Sequence, residues 1–340
     1  MGPERVGVIG AGSWGTALTR PLSDQGRAVS LWEFNKEHLK DIIATRENKI
    51  HIPGYILPDN ITPVYDIEEA VRGHQVIVMV VPSHVFRGVF SEVSAYLEDG
   101  AHVISAAKGI ENETLLTMTQ VMSEVLVQTQ AGKKNIQLGV ISGPSFAKEV
   151  AAGIPTAVTV AAKNMSAAQF FQKTFFTERF RVYAATDLIG LELGGALKNI
   201  VAIATGICDG LGYGTNTRAA LITRGLAEIS RLGVKMGADP LTFSGLGGLG
   251  DLVLTCTGDL SRNRTVGLKL GQGKSLKEIL AEMNMVAEGV KTTRSAWNLA
   301  RKQNVEMPIL EQIYQVLYED KPCSAAVSDL LGRDQKEELG

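Results

Sequence analysis

Arg5-Val6-Gly7-Val8-Ile9-Gly10-Ala11-Gly12-Ser13-Trp14-Gly15 is a short apolar strand running into G-x-G-x-x-G, and its reading decides the fold. Gly10 can make the tight turn, Gly12 has no side chain to block a pyrophosphate, and Gly15 lets the following helix lie close to the strand. The free N–H groups and positive end of that helix then face a diphosphate. Glycines at this spacing also occur in turns that bind nothing, so the surroundings carry the argument. Here the motif follows β-branched residues, precedes a helical stretch, and is succeeded by a second strand, Ala28-Val29-Ser30-Leu31-Trp32, that ends in an acid. That acid, Glu33, stands 18 residues beyond Gly15, close to the roughly 20-residue offset of a carboxylate that accepts from a ribose 2′-hydroxyl. A dinucleotide site is expected.

Outward from the motif, apolar runs at 5–10, 28–32, 76–82, 102–107, 138–142 and 156–162 are expected strands of a mostly parallel sheet covered on both faces. Helical stretches at 13–25, 36–46 and 111–130 alternate with them. The fold class is therefore α/β, an N-terminal Rossmann-type doubly wound sheet over 1–187, with ligands at the carboxyl ends of its strands. From 188 the periodicity turns helical, over 190–208, 217–236, 262–271, 275–283, 289–303 and 309–318. A second, all-helical C-terminal domain is expected over 188–331, and a frayed tail over 332–340. Pro21 falls inside the first helix, where a bend or an early end is expected.

A chain of 340 residues can hold two domains, and 45% apolar with 21% charged residues is an ordinary globular composition. The net charge of −2 supplies no basic field for nucleic acid or an anionic membrane. No apolar run reaches the roughly 18 residues of a bilayer span, and the chain opens on a strand, not a signal peptide. A cytoplasmic protein is expected. Cys208, Cys256 and Cys323 are widely spaced and odd in number, which fits a reducing compartment and offers no zinc spacing. No metal is expected. All five histidines lie at or before His102, so a catalytic helical domain must take its general acid from another residue type.

The stretch Gly190–Cys208 holds one charged residue between Glu192 and Asp209, namely Lys198. Its stem could lie buried with the ammonium in water; alternatively desolvation depresses its pKa so that it trades a proton near neutrality. Gly194 and Gly195 would let another body approach the backbone beside it. Lys108 follows the strand at 102–107 at its ligand-facing end, where a plain turn lysine is the bland alternative. The glycine run 245–250 delivers Asp251. Ser261 is a good helix N-cap, which leaves Arg262 and Asn263 at a positive helix end suited to a phosphate monoester. Gly143-Pro144-Ser145 forms a further loop after an apolar strand, although such triplets are common turn chemistry.

Taken together, Gly10–Ala17, Leu31-Trp32, Ala107-Lys108-Gly109, Ser142–Ser145, Gly195–Asn199, Gly247–Leu252, Ser261–Asn263 and Glu288-Gly289 resemble the soluble, bacterial-type NAD(P)-dependent glycerol-3-phosphate dehydrogenases. The resemblance spans nearly the whole chain. It implies reversible hydride transfer between NAD(P)H and dihydroxyacetone phosphate, giving sn-glycerol 3-phosphate for glycerophospholipids. It also implies Lys198 as proton donor or acceptor, Lys108 and Asp251 as orienting residues, and Ser261, Arg262 and Asn263 at the phosphate with Gly143 and Ser145 nearby. Ser13, Trp14, Phe34, Lys108, Ala147, Arg262, Val286 and Glu288 match positions that line the dinucleotide, and a homodimer is implied as well. Many such enzymes carry arginine or histidine just after the Leu-Trp pair, where this chain has Glu33-Phe34. A carboxylate repels a 2′-phosphate, so NADH is expected over NADPH, with Lys36, Arg46 and Lys49 near enough to accommodate the phosphate. Two other readings stand beside this one: a β-hydroxyacid dehydrogenase of the 3-hydroxyisobutyrate or 6-phosphogluconate type, and a non-catalytic NADH-sensing protein.

Overall fold

The computed structural model describes residues 4–283, 287–335 and 337. Strands β1 (Arg5–Ile9), β2 (Ala28–Trp32), β3 (Ile61–Val64), β4 (Val76–Met79), β5 (His102–Ser105), β6 (Gln137–Ser142), β7 (Thr156–Ala162) and β8 (Phe180–Ala185) form one sheet in the order β3-β2-β1-β4-β5-β6-β7-β8. Every pairing is parallel except β6 with β7. The strand order reverses between β1 and its neighbours β2 and β4, which opens a crevice at their carboxyl ends. Helices α1 (Ser13–Asp24), α2 (Lys36–Thr45), α3 (Ile67–Val71), α4 (Phe86–Tyr96), α5 (Met118–Gln128), α6 (Ala147–Ala151) and α7 (Met165–Phe175) cover the two faces. Separate apolar cores lie on each side, one around Val8, Leu31, Ile104 and Phe171, the other around Ile9, Ile77, Phe86 and Val103. Over the central strands β1, β4 and β5 both faces of the sheet are dry, as their unbroken apolar sequences require.

Two strands were not legible as such. β3 contains Pro63 and β8 alternates buried Phe180 and Val182 with exposed Arg181 and Tyr183; both are edge strands, where a missing donor or a wet face is tolerated. The expected helix 111–130 starts only at Met118. Thr117 donates its N–H to Gln120 Oε1 at 3.0 Å, a capping arrangement that sets the start, and Ile110 pairs with Thr117 in an antiparallel bridge that closes the preceding loop. Pro21 does not end α1, which continues to Asp24. The proline sits in the last turn, where only one backbone donor is lost.

The second half is helical: α8 (Leu188–Gly210), α9 (Thr215–Lys235), α10 (Asp251–Thr257), α11 (Arg262–Gly271), α12 (Leu276–Ala281), α13 (Glu288–Lys302), α14 (Pro308–Tyr318) and α15 (Cys323–Leu331). A π-helical turn over Leu246–Gly250 feeds α10. α8 is the hub, because α9, α10, α11, α13 and α14 all pack on it. By length and hydropathy this helix does satisfy a membrane-span test, contrary to the expectation that no run is long enough. Burial gives the reason: 89% of its apolar window lies inside the protein, so its apolarity is that of a core helix. Close approach is bought by glycine, since a Cβ on Gly206 would lie 2.1 Å from Arg264 O and one on Gly267 would lie 2.0 Å from Ile203 O.

Candidate active site

The glycine motif has the geometry its spacing predicts. Gly10 adopts φ +122° and a Cβ there would lie 2.9 Å from Val80 O, while one on Gly15 would lie 1.9 Å from Gly10 O. Nothing lies within 4 Å of the corresponding position on Gly12. The two outer glycines are fixed by protein packing and the middle one faces open space, which is the cradle a pyrophosphate needs. Trp14, one residue into the helix, buries its Nε1 with no hydrogen-bond partner among the described residues, and Ser13 Oγ donates to His51 O at 3.2 Å. Phe34 is exposed at the end of β2, and Ala147 opens α6.

Glu33 behaves differently from the sequence expectation. Its carboxylate is buried, accepts from Asn35 N at 2.8 Å and sits 3.1 Å from His38 Nδ1. The other ring nitrogen of His38 meets Asn48 Oδ1 at 3.0 Å, and Asn48 Nδ2 donates to Ala11 O at 2.7 Å. The acid thus holds a buried chain of contacts that ends on the phosphate loop instead of reaching out for a ribose hydroxyl. Sequence offset locates the residue but not the direction of its side chain.

Across the crevice, three charged groups from different elements converge. Lys198 projects from the middle of α8, Asp251 is the first residue of α10, and Lys108 comes from the loop after β5. Asp251 Oδ2 accepts from Lys108 Nζ at 2.9 Å, and Asp251 Oδ1 accepts from Lys198 Nζ. Thr255, four residues after Asp251 and therefore on the same helix face, accepts from Lys198 Nζ at 2.7 Å while its hydroxyl donates to Asp251 O at 2.6 Å. Lys198 and Asp251 are buried and Lys108 is partly open to solvent. Burial pushes the Lys198 ammonium down to about 7, aided by the nearby Lys108 and opposed by Asp251. Burial alone would raise the Asp251 carboxyl, yet Lys108 and Lys198 outweigh it and hold the group below its ordinary value. The arrangement is an ammonium poised to exchange a proton near neutrality, held by a carboxylate that stays ionised.

Glycines let this centre assemble. A Cβ on Gly194 would lie 2.5 Å from Gly247 O, and one on Gly195 would lie 2.7 Å from Ser142 Oγ and 3.8 Å from Lys108 Cγ. The body that approaches the helix beside Lys198 is thus the protein itself, the glycine run on one side and the sheet domain on the other. Gly143, with φ +145°, and Ser145, whose Oγ donates to Gly143 O at 2.8 Å, lie in the same loop as Pro144, whose ring would lie 3.6 Å from a Cβ placed on Gly250 of the glycine run. Ser261 caps α11 by accepting from Arg264 N at 3.2 Å, and Asn263 Oδ1 accepts from Gly289 N at 3.0 Å. Arg262 opens α11, exposed, within electrostatic reach of Glu288 and His51. Glu288 accepts from Ser83 Oγ at 2.9 Å, and its burial raises the carboxyl. Val286 lies outside the described residues. Thr255 and Ser83 were missed in the sequence; the first was legible as the i+4 partner of Asp251, and the second as the residue that follows the apolar run 76–82.

Models of two family domains match the chain, NAD-dependent glycerol-3-phosphate dehydrogenase N-terminus over residues 5–168 and the corresponding C-terminus over 187–328. The chain belongs to the NAD-dependent glycerol-3-phosphate dehydrogenase family. It is 57% identical over 333 residues to glycerol-3-phosphate dehydrogenase [NAD(P)+] of Desulfotalea psychrophila, covering 98% of each chain. It is 55% identical over 337 residues to the same enzyme of Geobacter metallireducens, covering 99% of each. The crystal structure of glycerol-3-phosphate dehydrogenase from Coxiella burnetii superposes with a TM-score of 0.92 at 40% identity, over 97% of this chain and 99% of that one. Like the rest of the family, this dehydrogenase is an NAD(P)-dependent oxidoreductase, and among its described residues no cluster of metal-ligating side chains occurs.

Proposed function

We propose that this dehydrogenase reduces dihydroxyacetone phosphate to sn-glycerol 3-phosphate, reversibly, with Lys198 as the proton donor. When bound, the reduced nicotinamide supplies the hydride to C2 of the ketone. Negative charge then builds on the ketone oxygen, and a cationic donor aimed there lowers the barrier before it gives up its proton. Lys198 has three N–H donors, of which Asp251 and Thr255 take two; the third is assigned to the substrate oxygen. Asp251 aims both lysines, and Lys108 adds a second positive charge on the side toward the sheet domain. Arg262, with Ser261, Asn263, Gly143 and Ser145, holds the phosphate end, fixing the carbonyl against the nicotinamide. Gly10, Gly12, Ser13, Trp14, Gly15, Phe34, Ala147 and Glu288 would line the dinucleotide.

The single observation that carries this reading is the buried lysine–aspartate–lysine centre at the junction of the two halves. The assay is oxidation of NADH against dihydroxyacetone phosphate, repeated with NADPH and with Lys198→Ala. Turnover with the phosphorylated ketone is expected, with kcat in the variant lower by about two or more powers of ten. Turnover of 3-hydroxyisobutyrate or 6-phosphogluconate instead, or near-normal turnover by the variant, overturns it.

NADH is proposed as the preferred donor, because the buried Glu33 carboxylate disfavours a neighbouring 2′-phosphate by charge, whether or not it touches the ribose. We further propose a division at 187/188 with a tail over 332–340, since β8 ends at Ala185 and α8 begins at Leu188. The product is assigned to phospholipid headgroups, the compartment to the cytoplasm on the strength of three free cysteines, and the assembly to a homodimer, which light scattering checks.

A further inference from the structure

Glu192 takes no part in the chemistry proposed above, yet it is a buried carboxylate on the same helix as Lys198. Both of its oxygens point across the boundary between the halves: Thr119 N donates to Oε1 at 2.7 Å and Thr119 Oγ1 donates to Oε2 at 2.5 Å. Burial raises its carboxyl, against the opposing pull of Thr119 and of its neighbours Thr117 and Met118 at the start of α5. An apolar side chain would pack in such a place at lower cost; what a doubly engaged carboxylate adds is direction.

What it directs follows from the chain. Thr119 is the second residue of α5, and Thr117 just before it is bridged to Ile110. Glu111 N donates to Leu116 O and Leu115 N to Glu111 O, both at 3.0 Å, so the loop 110–117 is closed on itself. Arg87 grips Glu111 through two bonds of 2.9 and 2.7 Å, and Ile110 is buried in the core of the helical half. Only Gly109 separates that loop from Lys108. Lys108 in turn crosses α8 at Gly195, three residues after Glu192 and three before Lys198.

We propose that Glu192 is a positioning residue that, by receiving Thr119 across the domain boundary, fixes the loop of Lys108 against the helix of Lys198 and so sets the spacing of the two lysines around Asp251. The inference rests on the proposed role of Lys198. If the grip is released, Lys108 moves off, and the groups facing Lys198 that remain are Asp251, the Thr255 hydroxyl and the Cys256 thiol. A repulsive neighbour is lost and the attractive one is no longer shared, so the ammonium becomes harder to deprotonate.

The test uses the full chain as wild type, Glu192→Ala, Glu192→Gln and Thr119→Val, the last leaving α8 untouched should the alanine variant not fold. Reduction of dihydroxyacetone phosphate is measured across pH, and amide hydrogen exchange is followed over residues 108–117. In Glu192→Ala, kcat at pH 7 is expected to fall about tenfold, with the KM for NADH nearly unchanged and the pH midpoint moved to higher pH. Thr119→Val should move it the same way by less, with faster exchange in the loop. Glu192→Gln, which can still accept from Thr119 N, should recover most of the activity and the wild-type midpoint. Wild-type midpoint and loop protection in Thr119→Val, or a glutamine variant as impaired as the alanine one, overturn the proposal. Absence of ketone reduction by the wild type would instead defeat the functional reading, while the exchange arm still decides whether Thr119 and Glu192 hold the loop.

Discussion

Lys198 illustrates how a single side chain acquires a function from its surroundings. In water an ammonium with a pKa near 10.4 is a poor donor at neutral pH; buried on α8 its pKa is lowered to about 7. The sign of the resulting pH dependence is fixed. Reduction requires the ammonium, so its rate should be level below about pH 7 and fall above it, whereas oxidation requires the free amine and should rise through the same pH to a plateau. Initial rates in both directions between pH 5.5 and 9.5 check this, and parallel profiles in the two directions would remove Lys198 as the titrating group. The residue was legible because a lone charge in an apolar helix is rare. The direction of Glu33 was not, because it depends on His38 and Asn48, whose placement is a tertiary matter.

At the scale of elements, periodicity and glycine spacing carried β1, β2, α1, α2 and the long helices of the second half. What failed were elements whose context departs from the interior: the edge strands β3 and β8, and the start of α5, set by a capping residue instead of by apolar rhythm. The glycine motif permits a sharper comparison between two positions. Gly15→Ala would drive a methyl group to 1.9 Å from Gly10 O, a backbone atom that cannot yield without moving the turn, whereas Gly12→Ala meets nothing within 4 Å. Gly15→Ala should therefore lower the melting temperature and abolish NADH binding together. Gly12→Ala should melt within a few degrees of wild type, since an alanine in place of a glycine N-cap costs at most about 1 kcal/mol, yet bind NADH at least tenfold more weakly because its methyl group faces the ligand. Thermal melts and fluorescence titration separate the two, and equal losses in both variants would contradict the packing argument.

Across the whole molecule, three of the polar contacts that join the halves line the cleft and share one polarity: Ser83 to Glu288, Thr119 to Glu192 and Lys108 to Asp251. In each the donor belongs to the sheet half and the acid to the helical half, so the cleft is lined by groups that a ligand on both walls can extend. None of this pairing was visible in sequence, because each contact spans at least 73 residues. A ligand bound to both walls should stabilise the whole chain by mass action, about 2.7 kcal/mol at a hundred times its dissociation constant. In the proposed site NADH would reach the sheet wall and, through Arg262 and Glu288, the helical one, and sn-glycerol 3-phosphate mainly the helical wall. Together they form a pair that cannot react, as both are reduced, so an equilibrium melt is accessible. Each alone should raise the melting temperature, and the two together should raise it by more than the sum, because the first ligand pays to order the cleft that the second then finds closed. In Arg262→Ala the excess should shrink, since that side chain is the one proposed to touch both ligands. A strictly additive shift in the wild type would mean that the two halves bind their ligands independently and that the cleft is not a single site.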